Sequence, residues 1–101
     1  MELQIVNNKG VFEIHGHFVM ENSNQVKDYF NTLLDTYYEI VICLKKVKKI
    51  DDAALNVMKF ISDKATKRCK VLFVLGKENK KIKRKFRRAN LNTIFRNEYT
   101  S

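Results

Sequence analysis

Residues 39–55 read EIVICLKKVKKIDDAAL, which combines an apolar run, a basic run and a pair of acids. Its first part, EIVICL, is an unbroken apolar run of strand length, which is typical of a strand buried on both faces of a parallel sheet. A basic run follows, and two adjacent acids, Asp51 and Asp52, then come directly before an apolar pattern with helical spacing. The stretch therefore predicts a central strand followed by a helix, with the two acids at the start of that helix.

The segments on either side predict further strands. A second apolar run, KVLFVLG at residues 70–76, predicts another central strand. Near the amino terminus, residues 3–18 contain two alternating stretches, LQIV and VFEIHGHF, joined by the turn sequence NNKG. These stretches predict an opening β-hairpin. Near the other end, NLNTIF at residues 90–95 predicts a closing segment.

Helices are predicted where apolar residues recur at helical spacing. The first helix should begin near Asn22 to Asn24, among the capping-type residues of ENSN, with an apolar stripe of Val26, Phe30, Leu33, Leu34 and Tyr37. The second should turn one stripe inward, Ala54, Met58, Ile61 and Ala65. Its solvent face should carry Lys59, Asp63 and Lys64. A third helix should follow Gly76.

The order hairpin, helix, strand, helix, strand, helix predicts a small α/β sandwich. Right-handed crossovers between parallel neighbours predict a mixed sheet of four or five strands, with three main helices largely on one face. The chain has 101 residues, of which 45% are hydrophobic and 31% charged, so we expect a single domain over residues 1–101. Cys43 lies inside an apolar run, and both cysteines, Cys43 and Cys69, are predicted to be free thiols.

The sequence favours a cytoplasmic protein without catalytic activity or cofactor. No apolar run approaches the roughly 20 residues that cross a bilayer, and the first residues lack the pattern of a secretory signal. No nucleophile and base pair, glycine-rich phosphate loop or Cys–His constellation is present in the sequence. A receiver domain is disfavoured because its acid pair follows the first strand, where this chain has Gly16, His17 and Asn22.

The two acids have a structural explanation. Asp51 is suited to cap the helix, since its carboxylate can accept a hydrogen bond from a free N–H of the first turn. Asp52 gains from the positive end of the helix dipole. Such effects are worth about 0.5 to 2 kcal/mol, which is enough to account for acids at a helix start.

The whole pattern also resembles the STAS domain, the fold of bacterial anti-sigma factor antagonists and of a cytoplasmic module of sulphate transporters. The resemblance rests on GHF at residues 16–18, on EIVICL, on VKKIDDAAL at residues 47–55, on KVLFVLG and on NLNTIF. In the family the junction usually reads Asp, Ser, Ser or Thr, Gly, Leu, and a serine at the helix start is phosphorylated by a kinase that is also an anti-sigma factor. Asp51 and Leu55 match this pattern, whereas Asp52, Ala53 and Ala54 do not.

The departure from the family pattern removes the phosphorylation site. Asp52 and Ala53 occupy the serine positions, so no phosphate ester is expected there. Asp52 instead supplies a fixed negative charge of about one, against roughly 1.5 to 2 for a phosphate. The resemblance then implies a non-catalytic, regulatory protein-binding module in one of two forms. The chain is either an antagonist locked in a phosphorylated-like state or a module recruited to a partner that never used phosphorylation.

From the family pattern, the contact surface should centre on the starts of two helices. The expected partner-binding residues are Asn22, Ser23, Asn24, Asp51, Asp52, Ala53 and Asn56. Physically, these positions follow strands at one end of an α/β sheet, where binding sites gather. The expected partner is a protein, either an anti-sigma factor or a serine kinase.

Two other patterns suggest different functions. His15 and His17, with Glu13, share one face of a strand at a spacing that suits metal ligands, but no further ligand lies nearby in the sequence and ordinary strand surface is the better interpretation. The third helix is the stronger alternative, since it carries a narrow apolar stripe of Ile82, Phe86 and Ala89. Its other faces are cationic, with Lys80, Lys81, Lys83, Arg84, Lys85, Arg87 and Arg88. With a net charge of +9, this helix could bind nucleic acid or an anionic surface.

Overall fold

The computed structural model describes residues 2–91 and 94, and it shows an α/β fold with three helices and a mixed sheet of five strands. The strands are β1 (Leu3–Asn8), β2 (Val11–Phe18), β3 (Glu39–Cys43), β4 (Val47–Ile50) and β5 (Val71–Leu75). The helices are α1 (Met20–Thr36), α2 (Asp52–Lys67) and α3 (Lys80–Arg88). The predicted fold class, the opening hairpin and both central strands are confirmed.

Strand β2 organises the sheet. It pairs antiparallel with β1 on one side, forming the predicted hairpin. On its other side the first half of β2 pairs in parallel with β3, and the second half pairs in parallel with β4. Strand β5 lies beyond β3, also parallel to it, so the order is β1-β2-β3-β5 with β4 attached to β2. The carboxyl ends of the parallel strands therefore point toward the starts of the helices that follow them.

Strand β4 is the element that the sequence analysis does not predict. Its register with β2 shifts between Gly16 and His17, so its apolar residues do not alternate as they do in a regular strand. Val47 is buried and Ile50 is half-buried, while Lys48 and Lys49 between them are exposed. The second part of the basic run, from Val47 onward, thus lies in a short strand whose two lysines face solvent.

One core lies between the three helices and one face of the sheet. The buried hydrophobic residues of α1, α2 and α3 all belong to it, together with inward residues of β2, β3 and β5. The predicted inward stripe of α2 is confirmed, since all four residues are buried. Val41 and Cys43 are buried outside this core, on the opposite face of the sheet. The helices therefore cover the same face, as predicted.

Three surface assignments and one helix start are corrected by the structure. Lys64 is not solvent-facing, because its side chain is only 13% exposed and its Nζ donates to the carbonyl oxygen of Asn31. Tyr37 and Ala89 are the C-caps of α1 and α3 and are exposed, so neither belongs to an apolar stripe. Helix α1 begins at Met20 rather than near Asn22 to Asn24, which lie inside the helix. Helix α1 starts earlier because the carboxylate of Asp51 accepts a hydrogen bond from the backbone N–H of Met20.

The predicted closing segment is described only in part. Of the closing segment NLNTIF, residues 92, 93 and 95 lie outside the described residues, and Leu91 and Ile94 pack against the core. Gly16 has a φ of +100°, and a Cβ there would clash with the carbonyl oxygen of Glu2, the residue before β1. Only glycine therefore fits at this position. Among residues 2–91 and 94, no helix combines the length and apolar composition needed to span a bilayer.

Candidate functional site

Asp51 ties together the starts of two helices. Its Oδ1 accepts a hydrogen bond from the backbone N–H of Ala54 at 3.1 Å, which makes it the N-cap of α2, as predicted. Its Oδ2 accepts a second hydrogen bond, from the backbone N–H of Met20 at 2.9 Å. Met20 is the first residue of α1, and the N-cap of that helix, Val19, offers no side-chain hydrogen bond. One carboxylate therefore caps α2 and satisfies a free N–H of α1.

This arrangement brings the two predicted segments together. The first turn of α1, with Asn22 and Ser23, and the first turn of α2, with Asp52 and Ala53, meet through Asp51 at one end of the sheet. Both helix starts present positive dipole ends there. The junction is thus a single continuous surface made from residues 30 positions apart in the sequence.

Asp52 has a different environment from its neighbour. Its side chain is 91% exposed, and its contact is a long ion pair, Oδ1 to Lys85 Nζ at 3.6 Å. Lys85 belongs to α3 and is itself 37% exposed, so the pair is a surface salt bridge of small energy. The carboxylate of Asp52 is therefore available to a partner, whereas that of Asp51 is already occupied by two backbone donors.

Met20 is the residue at this surface that the sequence did not indicate. Its side chain is 72% exposed, the largest value among the exposed large hydrophobic residues in the described part of the chain. Its backbone N–H donates a hydrogen bond to Asp51, so this exposed residue belongs to the junction of the two helix starts. A methionine is flexible and polarizable, which suits an adaptable apolar contact. No periodic pattern marks a lone Met before ENSN, so only the fold reveals it.

The other predicted site residues differ in exposure. Asn22 is half-buried, and its Nδ2 donates to the carbonyl oxygen of His17 at 2.8 Å. Ser23 is 7% exposed, and its hydroxyl donates to the carbonyl oxygen of Met20 at 2.9 Å. Asn24 and Asn56 are exposed, while Ala53 is half-buried. Asn22 and Ser23 thus shape the first turn of α1, and the outer residues are free to touch another molecule.

The strand with two histidines forms a local pair. His15 Nε2 donates to Glu13 Oε1 at 2.8 Å, and Asn8 Nδ2 donates to Glu13 Oε2 at 3.3 Å. These hydrogen bonds, first from His15 and then from Asn8, hold the pKa of Glu13 below its ordinary value. The Nδ1 atom of His17 is buried without a hydrogen-bond partner. Within residues 2–91 and 94, no three His, Cys, Asp or Glu side chains are grouped as they would be around a metal ion.

Comparison with known proteins places this geometry in context. The solved structure of the Bacillus cell fate determinant SpoIIAA in its phosphorylated form has a TM-score of 0.69 with 10% sequence identity, covering 97% of this chain and 92% of that one. An anti-sigma factor antagonist from Mycobacterium paratuberculosis also gives 0.69, with 16% identity and coverage of 93% and 81%. The unphosphorylated form of the anti-sigma factor antagonist SpoIIAA gives 0.63, with 11% identity and coverage of 84% and 83%.

Sequence comparison gives the family. At these low identities the solved structures show a shared fold and no more. No curated protein sequence matches the chain. The family model for the STAS domain, however, matches residues 1–101. Because that match extends over the full length and agrees with the element order, the chain belongs to the STAS domain family.

Proposed function

We propose that this chain is a non-catalytic regulatory module that binds a protein through the joined starts of α1 and α2. It would act as anti-sigma factor antagonists do, with Asp52 providing a fixed negative charge where relatives carry a serine that can be phosphorylated. The proposed contact residues are the accessible members of the predicted set with Met20 added, namely Met20, Asn24, Asp52, Ala53 and Asn56, and the other predicted residues, Asn22, Ser23 and Asp51, hold the two helix starts in place. We propose that the chain and its partner interact in the cytoplasm.

The proposal rests on the different environments of two adjacent acids. The carboxylate of Asp51 stabilises the fold, since both its oxygens accept backbone hydrogen bonds. Asp52 is not needed for the cap, and its carboxylate is 91% exposed at the same helix start. An exposed charge beside an exposed methionine offers a partner both an electrostatic and an apolar contact.

The charge of Asp52 is compatible with two kinds of partner. If Asp52 imitates a phosphorylated serine incompletely, the natural partner is an anti-sigma factor or serine kinase, and the charge weakens that complex. If the surface has adapted to a basic partner, the charge strengthens the complex. The two forms predict opposite signs for the effect of removing the Asp52 charge on affinity.

Nucleic-acid binding through α3 is the second candidate. Its support is the cationic helix surface, with seven Lys and Arg residues between Lys80 and Arg88 that could neutralise phosphates. Phe86, the aromatic residue within α3, is fully buried, so this helix offers no exposed ring on which a base could stack. The charge on α3 therefore supports weak, salt-sensitive binding, and the helix starts remain the better site for a specific partner.

Site-specific crosslinking tests the proposed surface. A photo-reactive benzoylphenylalanine placed at Asn56 should capture the partner in cells, because this residue is exposed near the start of α2. Asp63 provides a matched control position on the same helix: it is also exposed, it lies on nearly the same side, and it is about 10 Å farther from the helix start. Mass spectrometry would identify the captured molecule.

The proposal expects a protein crosslinked from position 56 and not from position 63. Substituting Met20→Ser in the position-56 variant should reduce the yield, since the proposed apolar contact is lost. Equal crosslinking from both positions, or none from either, would contradict a binding surface at the helix starts. A crosslink to nucleic acid alone would favour the second candidate.

A further inference from the structure

A groove runs between β4 and α3, next to the helix starts but distinct from them. Its volume is about 240 Å³. Three aliphatic residues line its base: Ile50 is half-buried and offers most of the accessible aliphatic surface, while Val47 is 4% exposed and Ile82 is fully buried. The groove therefore has an apolar floor built from a strand and a helix.

The walls of the groove are cationic. No acid is found among the described residues that line it. Five of its six basic side chains are exposed and one is half-buried: Lys48, Lys49, Lys81, Arg84, Lys85 and Arg88. Asp52 reaches Lys85 from outside the groove at 3.6 Å. So many like charges around one concavity repel each other, and a ligand with several negative charges would relieve that repulsion.

The groove is held in shape by Asn79, the residue before α3. Its Nδ2 lies 3.0 Å from the carbonyl oxygen of Val47, 3.4 Å from that of Lys45 and 3.5 Å from that of Leu44. These contacts tie the start of α3 to the segment between β3 and β4. The buried Ile82 and Phe86 anchor the rest of the helix in the core. Both walls thus belong to fixed elements, so the site exists before a ligand arrives.

The dimensions and lining select among anionic ligands. Pockets for small molecules begin at roughly 300 Å³, so this groove suits one or two side chains better than a cofactor. Among residues 2–91 and 94, no aromatic side chain lines the groove, which disfavours stacked bases. An apolar floor between cationic walls matches a peptide in which aliphatic residues alternate with carboxylates.

We propose that the groove between β4 and α3 is a docking site for an acidic, amphipathic segment of a partner protein, with aliphatic side chains on the floor and carboxylates on the walls. The proposal does not require the helix-start site. An acidic peptide should bind here whether or not Asp52 is recognised by another protein.

The test uses the full chain and a synthetic peptide in which leucines alternate with glutamates. Fluorescence anisotropy at about 0.15 M salt measures its affinity under conditions where charges more than about 8 Å apart are screened. A second peptide replaces each leucine by serine and keeps the same charge. The proposal expects the leucine peptide to bind at least about tenfold more tightly, since only it can fill the apolar floor.

Two double variants of α3 form a matched pair. Arg84→Glu with Arg88→Glu reverses two charges that line the groove, whereas Lys83→Glu with Arg87→Glu reverses two exposed charges on the same helix that do not line it. Each pair has one member in the last turn, so helix-dipole effects are similar. The groove pair should weaken peptide binding about tenfold or more, and the control pair about twofold or less.

Several results would overturn the proposal. Equal losses in the two double variants, or equal affinity of the two peptides, would show charge attraction without a groove. Tighter binding of a single-stranded oligonucleotide, lost in the groove pair, would make this a nucleic-acid site instead. If circular dichroism shows that the groove pair does not fold, the amide chemical shifts of the parent chain provide the test. Adding the peptide should then perturb Val47–Ile50 and Lys80–Arg88 more than α1. Larger perturbations in α1 would reject the groove.

Discussion

At the scale of single residues, the two adjacent aspartates of the IDDAAL junction, Asp51 and Asp52, have different roles. Asp51 lies at the cap position, where the backbone is extended and the carboxylate turns back toward the helix. Asp52 lies one residue further, in the first turn, where its side chain points to solvent. The first therefore contributes to stability and the second is available for recognition.

This division predicts unequal stability losses. Asp51→Ala removes the cap of α2 and the acceptor for the Met20 N–H, so the free energy of unfolding should fall by about 2 to 3 kcal/mol. Asp52→Ala removes a dipole interaction and a surface ion pair, so it should cost less than about 1 kcal/mol. Urea unfolding of both variants measures the difference. Similar losses would mean that Asp51 does not link the two helices.

The sequence predicted half of what Asp51 does. A cap signal is local, because Asp directly before an apolar helical pattern is visible in six consecutive residues, and the cap of α2 is confirmed. The bond to Met20 joins residues 31 apart, and no local pattern encodes it. For the same reason the sequence placed the start of α1 too late: the helix begins where Asp51 satisfies its N–H, and not at its own capping-type residues.

At the scale of elements, helix periods and buried strands were predictable because each depends on its own apolar residues. Strand β4 was not, since it is four residues long, mostly basic and paired through a shifted register with β2. Its strand character comes from its partner. Lys64 was misplaced in a similar way, because a lysine at a polar helical position is half-buried only when a second helix lies against it.

The contact between α1 and α2 predicts a measurable acid titration. Lys64 Nζ lies 3.0 Å from Asp35 Oδ1, and Arg68 lies 3.1 Å from the same oxygen. The hydrogen bond from Lys64 is the main cause that lowers the pKa of Asp35. A lowered folded-state pKa means that the stabilising contact is present above the unfolded pKa and is lost as pH falls through the folded value.

Side-chain carboxyl NMR titration should therefore find the Asp35 midpoint below the ordinary range. Lys64→Met should move that midpoint upward, because its principal hydrogen-bond donor is gone. Arg68→Met should move it less, since Arg68 contributes a weaker attraction. An Asp35 midpoint that is unaffected by Lys64→Met would show that the two helices are not joined by this pair in solution.

At the scale of the whole molecule, the fold sorts a strongly basic sequence into two surfaces. Most of the charge excess behind the net +9 is concentrated on α3 and β4 and surrounds the groove. The helix starts carry Asp51, Asp52 and the exposed Met20 instead. The Asp52–Lys85 pair lies where the two surfaces meet. One partner can therefore touch both surfaces, and we propose that it recognises the charge of Asp52.

Isothermal titration calorimetry of the protein captured from position 56, against the parent, Asp52→Asn and the control Asp63→Asn, measures whether the Asp52 charge is recognised. A charge desolvated in an interface is worth about 2 to 5 kcal/mol, so Asp52→Asn should change Kd by at least about tenfold. Tighter binding would identify a phosphorylated-like antagonist, and weaker binding a surface adapted to a basic partner. Asp63→Asn should leave Kd within about twofold, since such an exposed charge outside the interface is screened. Equal Kd values for the parent and Asp52→Asn would show that the partner does not recognise the Asp52 charge, and Asp52 would then be only a helix-start residue.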